Sequence, residues 1–406
     1  MRKVDMPERP GWREAAAELG FTFADMHGEP YWDESSAYEF TLREIEDDIE
    51  DPAAELHGLC REAVAAIVAS EELMTRLAIP EPHWDLVAES WHRNAPEIYG
   101  RFDLAYDGTG PAKLLEYNAD TPTSLYESAS FQWGWLEEQI ALGVLRPTDD
   151  QFNSIHEALV DRFRTLFAPG TDLHFAAMAG NPEDYATVEA MGWAAREAGL
   201  GAHYTDLEKI GLSEDGQFAD AEDRVIGTLF KLYPWEDLLR DPFAAHLAGA
   251  GCLLLEPAWK AVVSNKGLLP VLWQMFEGHP NLLPAFFLAD VEAALSGGSP
   301  APAVAASFAR VPHLAREHVV KPLFSREGAS ISIVENGQVT DASPDQGYAG
   351  HPKIVQAYQP LPVFDGFRPV IGAWMVGTAC CGVGIREDRG RITQDLSRFK
   401  PHYIRD

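Results

Sequence analysis

Between Arg101 and Asn118 the chain carries two short runs of alternating character, Arg-Phe-Asp-Leu-Ala-Tyr-Asp and Ala-Lys-Leu-Leu-Glu-Tyr-Asn, separated by Gly-Thr-Gly-Pro. A two-residue period belongs to strands, and two such runs around a glycine-rich turn make an antiparallel hairpin. With Gly108–Pro111 as a four-residue loop, residue 107 is expected opposite 112, 103 opposite 116 and 101 opposite 118. Partners across an antiparallel ladder share a face. Arg101, Asp103, Glu116 and Asn118 therefore fall on one side, and Phe102, Leu104, Leu115 and Tyr117 on the other. Asp103 is set directly against Glu116. Opposed carboxylates, with Cβ atoms roughly 5 Å apart, repel unless something cationic lies between them. Two carboxylates and an amide oxygen are hard ligands of the kind magnesium takes, with nucleotide phosphates completing its shell. Arg101 beside them suits a transferring phosphate or a developing oxyanion. An acidic solvent face neutralised by Arg101 accounts for the same pattern equally well.

Around this hairpin the chain changes character several times. Residues 42–70 have a helical pattern with a break expected at Asp51-Pro52. Residues 128–168 return to helix, with Trp133, Leu136 and Ile140 spaced for a buried stripe. From 172 to about 256 short apolar runs alternate with helices, and the strands LHFAAMA, RVIGTLFKLY and GCLLLE flank a helix at 182–198, an α/β unit. Residues 266–278 and 290–296 read as helices, and SGGSPAPA at 296–303 as an exposed linker. After it come strands in hairpins: EHVVKPLF, ASISIVENGQVT, KIVQAYQ, PVIGAWMVG and CGVGIRED. Helices in front and an antiparallel-rich sheet behind predict an α+β catalytic domain.

Several cations stand out. Lys321 lies in the apolar run Val319-Val-Lys-Pro-Leu-Phe324, where an unpaired ammonium is costly to bury. The flexible stretch Ser325-Arg-Glu-Gly-Ala-Ser330 follows it, and a strand lysine with a small mobile loop is one way to grip and cover phosphates. A snorkelling lysine before an ordinary hairpin turn fits as well. Lys266 opens a helical run, against the helix dipole, a conflict that a bound anion relieves. Arg386 shares a strand face with Gly382 and Gly384, which leave room for a ligand or mark tight sheet packing. Arg391 in the following loop is a weaker candidate.

The balance of 63 acidic against 32 basic side chains gives a formal charge of −31, which repels nucleic acid and anionic membranes and attracts cations. No stretch has the ~18 apolar residues of a membrane span, and the first twenty residues hold no apolar core of signal-peptide length. Four scattered cysteines make no disulfide framework, so a reducing cytoplasmic setting is expected.

The string GRFDLAYDGTGPAKLLEYNADTPTS resembles the magnesium and transition-state motif of the glutathionylspermidine synthase family. PYWDESSAYEFT, SNKGLLPVLWQMFEGHPNLLPAFF, VVKPLFSREGASI, QAYQPLP and GAWMVGTACCGVGIRED resemble further family segments, in order, from about residue 10 to the end. The resemblance implies an ATP-grasp-type fold, permuted and glutathione-synthetase-like, with an inserted α/β substrate subdomain. It divides the chain into 1–125 (helices and metal hairpin), 126–256 (substrate subdomain) and 257–406 (ATP-grasp part with lid). By motif it makes Asp103, Glu116 and Asn118 magnesium ligands and Arg101 the transition-state residue. Lys266, Lys321 and Gly328 of the lid become nucleotide contacts, and Gln356, Ala357, Tyr358 and Gln359 the adenine hinge. Arg386 and Arg391 complete the phosphate end, while Thr121, Glu183, Asp184 and Thr187 face the substrates. Thr121 stands where the family uses serine, and the amidase domain of bifunctional members has no room here. The implied reaction joins the glycine carboxylate of a thiol peptide such as glutathione to a polyamine such as spermidine, through an acyl phosphate made from ATP with Mg2+. An amide ligase with other substrates, and a nucleotide-binding interaction protein without turnover, are the rival readings. ADP release against panels of acids and amines separates them. The sequence does not specify an oligomeric state.

Overall fold

A computed structural model describes residues 1–406 apart from 27, 299, 395 and 396. Position 299, within the expected linker, thus lies outside the described residues; Pro302–Arg310, just after it, is a helix opened by its proline.

Among the described residues two five-stranded antiparallel sheets and one four-stranded parallel sheet form the frame. The first has the order 398–400, 379–388, 368–376, 99–105, 113–118, so the acidic hairpin is its edge pair. The second runs 285–287, 353–356, 318–322, 332–335, 338–342. The parallel sheet has the order 253–255, 228–232, 172–177, 201–206, and Leu173, Phe175, Phe230 and Leu232 pack with helices Ile155–Leu166 and Pro182–Glu197 in one apolar cluster. The expected strand KIVQAYQ ends at Gln356, and residues 357–359 leave the ladder.

In the hairpin Arg101 pairs with Asn118 and Asp103 with Glu116, as alternation predicts. Past Asp103 a bulge intervenes: Leu104 pairs with Leu114 and Ala105 with Lys113, so the expected 107–112 pair does not form. One extra residue reverses the alternation beyond it. Leu114, not Leu115, enters the core, and Leu115 faces a cleft. The cause is tertiary. Leu114 N–H donates to Asn281 O at 2.8 Å, and Leu114 O accepts from Gln356 Nε2 at 3.0 Å, so partners from elsewhere claim this edge.

Two other expectations need correction. The helix does not break at Pro52. Leu42–Ile45, a π-helical turn Glu46–Glu50 and Asp51–Val68 run on continuously, with Asp51 N–H closing a wide turn onto Glu46 O. Pro52 supplies no N–H, and the wide turn immediately before it carries the helix past the missing bond. In Gln132–Ala141 the fully buried tryptophan is Trp135, while Trp133 is exposed. Leu136 is buried as the spacing predicts, and packing with Phe131 in one aromatic-rich cluster selects Trp135 over Trp133 as its neighbour.

A buried ionic knot anchors the hairpin's start. Glu256 accepts from the N–H groups of Ile98 and Tyr99, and Lys260 Nζ lies 2.8 Å from Glu256 and 3.3 Å from Glu97. Each buried charge here has an opposite partner, the condition under which such groups are tolerated.

Candidate active site

The polar face of the hairpin forms the floor of a cleft of about 460 Å3 lying between the two antiparallel sheets and the ends of the parallel strands. On that floor Arg101 Nε donates to Asp103 Oδ1 at 2.7 Å, and Arg386, from the strand two places away, donates to Asp103 Oδ2 at 2.6 Å. The amide of Asn118 bridges the opposed carboxylates, 3.2 Å from each. Lys266 reaches in from the start of helix Leu268–Met275, 3.1 Å from Glu116, and also donates to Ser325 O at 2.7 Å. Lys321 donates to Gln356 Oε1 at 2.8 Å and Leu115 O at 3.1 Å.

Four cations therefore surround two carboxylates, which leaves this cluster with a positive surplus. Burial drives the Glu116 carboxyl up, but Lys266 and Lys321 outweigh it and bring its pKa to about 2. Burial lowers Lys321 to about 8, although Glu116 opposes the shift. At neutral pH it keeps most of its charge while shielded from water.

Arg101 has room because position 372 is glycine: a Cβ there would lie 2.7 Å from Arg101 Cδ. The glycines beside Arg386 have another use. A side chain at Gly382 would strike Ile155, and one at Gly384 would strike Ser128 and Phe399, so these positions mark close packing, not ligand space.

Arg326, Glu327 and Gly328 of the loop 325–330 line the cleft. Glu327, Gly328 and Ser330 all have positive φ, and a Cβ at Gly328 would overlap the carbonyl oxygen of Thr393. Arg326, which the spacing of charges does not single out although it stands inside the lid motif, donates to Thr121 Oγ1 at 2.8 Å and to Glu236 at 3.0 Å. Ala357, Tyr358 and Gln359 line the cleft together with Val319, Ile331 and Ile333. Gln356 turns inward, its amide held between Lys321 and Leu114 O, and Ala357 N–H is engaged by Pro284 O. Arg391 lies over the Tyr358 ring and pairs with Glu335 at 2.8 Å, the hydrogen bond that chiefly raises its pKa.

At the far end Asn181 caps helix Pro182–Glu197 by accepting from the N–H groups of Glu183 and Asp184. Asp184 lines the cleft, its pKa raised to about 6 by burial and the neighbouring Glu183. Glu183 is half-buried, with its charge acting on Glu127 and Asp184, and Thr187 is buried within the helix. Sequence reasoning also passed over the buried pair Lys231–Asp120, at 2.7 Å, directly after the hairpin. Among the described residues no three His, Cys, Asp or Glu side chains gather as a metal site, and no helix is long and apolar enough to cross a membrane. The donor set here is two carboxylates and one amide, whose oxygen is presented by a half-turn of the Asn118 side chain.

Residues 3–405 match the family described as glutathionylspermidine synthase preATP-grasp. A Haemophilus influenzae protein with the provisional name acid–amine ligase is 39% identical over 418 residues, covering 99% of each chain. Trypanothione synthetase of Crithidia fasciculata is 28% identical over 364 residues, 84% of this chain and 52% of that one. The bifunctional glutathionylspermidine synthetase/amidase of Escherichia coli K12 is 23% identical over 415 residues, 96% of this chain and 63% of that one. The chain thus spans between half and two-thirds of these two longer relatives. The solved apo structure of a glutathione synthetase-like effector from Globodera pallida shares the fold, with a TM-score of 0.54 at 10% identity over 91% of this chain and 89% of that one.

Proposed function

The chain belongs to the glutathionylspermidine synthase family, and from that premise we propose that it is an ATP- and magnesium-dependent ligase with an ATP-grasp-type fold, joining a carboxylic acid to an amine through an acyl phosphate. Its relatives carry the names of ligases and synthetases. The observation that carries the reading is the convergence of Arg101, Arg386 and Lys321 on Asp103 and Glu116 within one cleft, with Lys266 pairing to Glu116 from behind it. A surplus of positive charge over paired hard-oxygen donors suits a polyphosphate and its divalent ion better than a neutral ligand.

A carboxylate oxygen of the acid attacks the γ-phosphorus, and ADP departs with the electrons of the broken P–O bond. The amine lone pair then forms the C–N bond, phosphate leaves, and the nitrogen's proton passes to solvent. No enzymic nucleophile is needed, because positioning and charge neutralisation carry such transfers. Arg101 and Arg386 sit where charge develops on the moving phosphoryl group, and Lys266 and Lys321 hold the phosphates. Asp103, Glu116 and the Asn118 carbonyl would hold magnesium, which when bound adds charge neutralisation. The apolar wall of Val319, Ile331 and Ile333 beside Ala357–Gln359 suits a flat base, with lid residues 325–330 excluding water. Thr121, Asp184 and the adjacent Glu183 mark the substrate end. The net charge of −31 and the names of two relatives support a peptide-like acid and a cationic, polyamine-like acceptor.

Turnover with an acid labelled with oxygen-18 in its carboxylate tests the chemistry. One labelled oxygen should appear in the released phosphate. Unlabelled phosphate alongside amide product would remove the acyl phosphate from the scheme.

A further inference from the structure

A second cavity, of about 260 Å3, shares Met178 and Tyr233 with the cleft. These two residues directly follow the strands Asp172–Ala177 and Thr228–Leu232, neighbours in the parallel sheet. From Asp172–Ala177 the chain continues to 201–206 on one side, while Thr228–Leu232 lies on the other, so strand order reverses between them. In open parallel sheets the crevice outside the carboxyl ends at such a reversal is the preferred place for a ligand.

The walls decide which ligand. Leu229 and Leu254 come from the sheet, and Ile210, Phe218, Phe243 and Leu247 from the segments that cover it. Apart from Tyr233, at the mouth shared with the cleft, the polar side chains lining the cavity already have partners. Glu208 accepts from Ala179 N–H, Asp241 from Phe243 N–H, and Lys231 donates to Asp120 and to Tyr233 O. An apolar space whose one free hydroxyl belongs to the shared mouth favours a hydrocarbon occupant.

We propose that this chamber receives an apolar arm of one of the two ligated substrates, a branched aliphatic group or a single aromatic ring. The proposal rests on the ligase reading and narrows its substrate class. The polar end of that substrate lies in the cleft with the reacting atoms, and the arm passes Met178 and Tyr233 into the chamber. A pocket that loses or gains a single methylene commonly discriminates by about 10- to 200-fold, so a whole arm should count for at least about tenfold in kcat/KM.

The test compares the wild-type chain with Ile210→Trp, which fills the chamber from a partly exposed wall, and Leu254→Phe, in case the first variant folds poorly. Peptide acids ending in glycine are assayed with and without a leucine or phenylalanine residue. Amines are assayed with and without an isobutyl or benzyl group, so the two series show which substrate bears the arm. Expected is a preference of about tenfold or more for the armed member of one series, lost in the variants while unarmed substrates keep their kcat/KM. Equal rates for armed and unarmed substrates in the wild type, or a preference that survives both substitutions, would overturn the proposal. Indole binding, read by calorimetry without turnover, tests the chamber independently. It should weaken about tenfold or more in the filled variants, and no binding, or unchanged binding, overturns the chamber. If no acid–amine pair releases ADP, the ligase reading fails and the indole titration alone decides the chamber.

Discussion

Replacing Lys321 by Met removes one ammonium and keeps nearly the same length of chain, and two opposing effects on stability can be weighed. Burial brings the Lys321 pKa from 10.5 down to about 8. A displacement of that size corresponds to roughly 3 kcal/mol of unfavourable environment for the charged form at neutral pH. Against this relief, Gln356 Oε1 and Leu115 O each lose a donor, at about 1–3 kcal/mol apiece if nothing replaces it. Leu115 lines the cleft, where water can substitute, so the lower end applies to it. The terms nearly cancel, and the variant should fold with a stability within about 2 kcal/mol of the wild type. Nucleotide binding has no such offset. Losing a charge-assisted phosphate contact removes about 1.5–3 kcal/mol, or roughly 10- to 150-fold in Kd. The pH dependence has a definite sign. Between pH 8 and 10.5 the unfolded wild type holds a proton on Lys321 that the folded protein has released, so this group makes stability rise with pH. The methionine variant lacks that rise, and its relative advantage should shrink across this window. Wild-type affinity for ATP should decline as pH rises through about 8. Calorimetric titration with magnesium–ATP, alongside denaturant melts at several pH values, reads both quantities. A folded variant whose Kd lies within a factor of about two of the wild type would refute Lys321 as a phosphate ligand.

Glu116→Gln keeps the shape of the hairpin but removes the charge facing Lys266 at 3.1 Å, so turnover should vanish at saturating magnesium while circular dichroism stays unchanged; retained turnover contradicts the metal assignment. Gly328→Ala should impair turnover and speed proteolysis at 325–330, because φ is 68° and the added Cβ meets Thr393. The backbone cost alone is about 1–2 kcal/mol, and a variant with wild-type turnover and protection would mean that the lid does not close on Thr393. Glu127 accepts from Tyr31 at 2.6 Å, and burial, then the nearby Glu183, raises its pKa to about 7. Its contribution to stability is present in full below the ordinary carboxyl range and is lost between about 4.5 and about 7, so Glu127→Gln should gain on the wild type over that interval and keep the gain at higher pH in melts from pH 5 to 9. A constant difference across that range would show that Glu127 does not titrate there.

What could be read from the residues follows the range of the forces involved. Alternation, turn residues and helical spacing act over a few positions, so the shared face of Arg101, Asp103, Glu116 and Asn118 was legible, as were the parallel α/β unit and the later hairpins. The choice of Trp135 over Trp133 was not, since both stand within one turn of Leu136 and tertiary packing selects between them. Lys266 and Lys321 stood out from their surroundings, but their role as nucleotide contacts, and that of Gly328, entered through resemblance, because a lysine in an apolar run has several ways to satisfy its charge and local pattern does not choose among them.

The sequence alone determined which four side chains share the hairpin's polar face, since strand alternation needs no distant partner. Tertiary structure alone decided where the strands slip and who meets them. The bulge that turns Leu115 into the cleft exists because Asn281 and Gln356 bind the edge at Leu114. Lys321 meets the Leu115 carbonyl across 206 positions of sequence, and Arg326 meets Thr121 across 205. Contacts at that separation depend on how whole sheets pack, with loop closure and burial selecting one partner among many chemically equivalent ones.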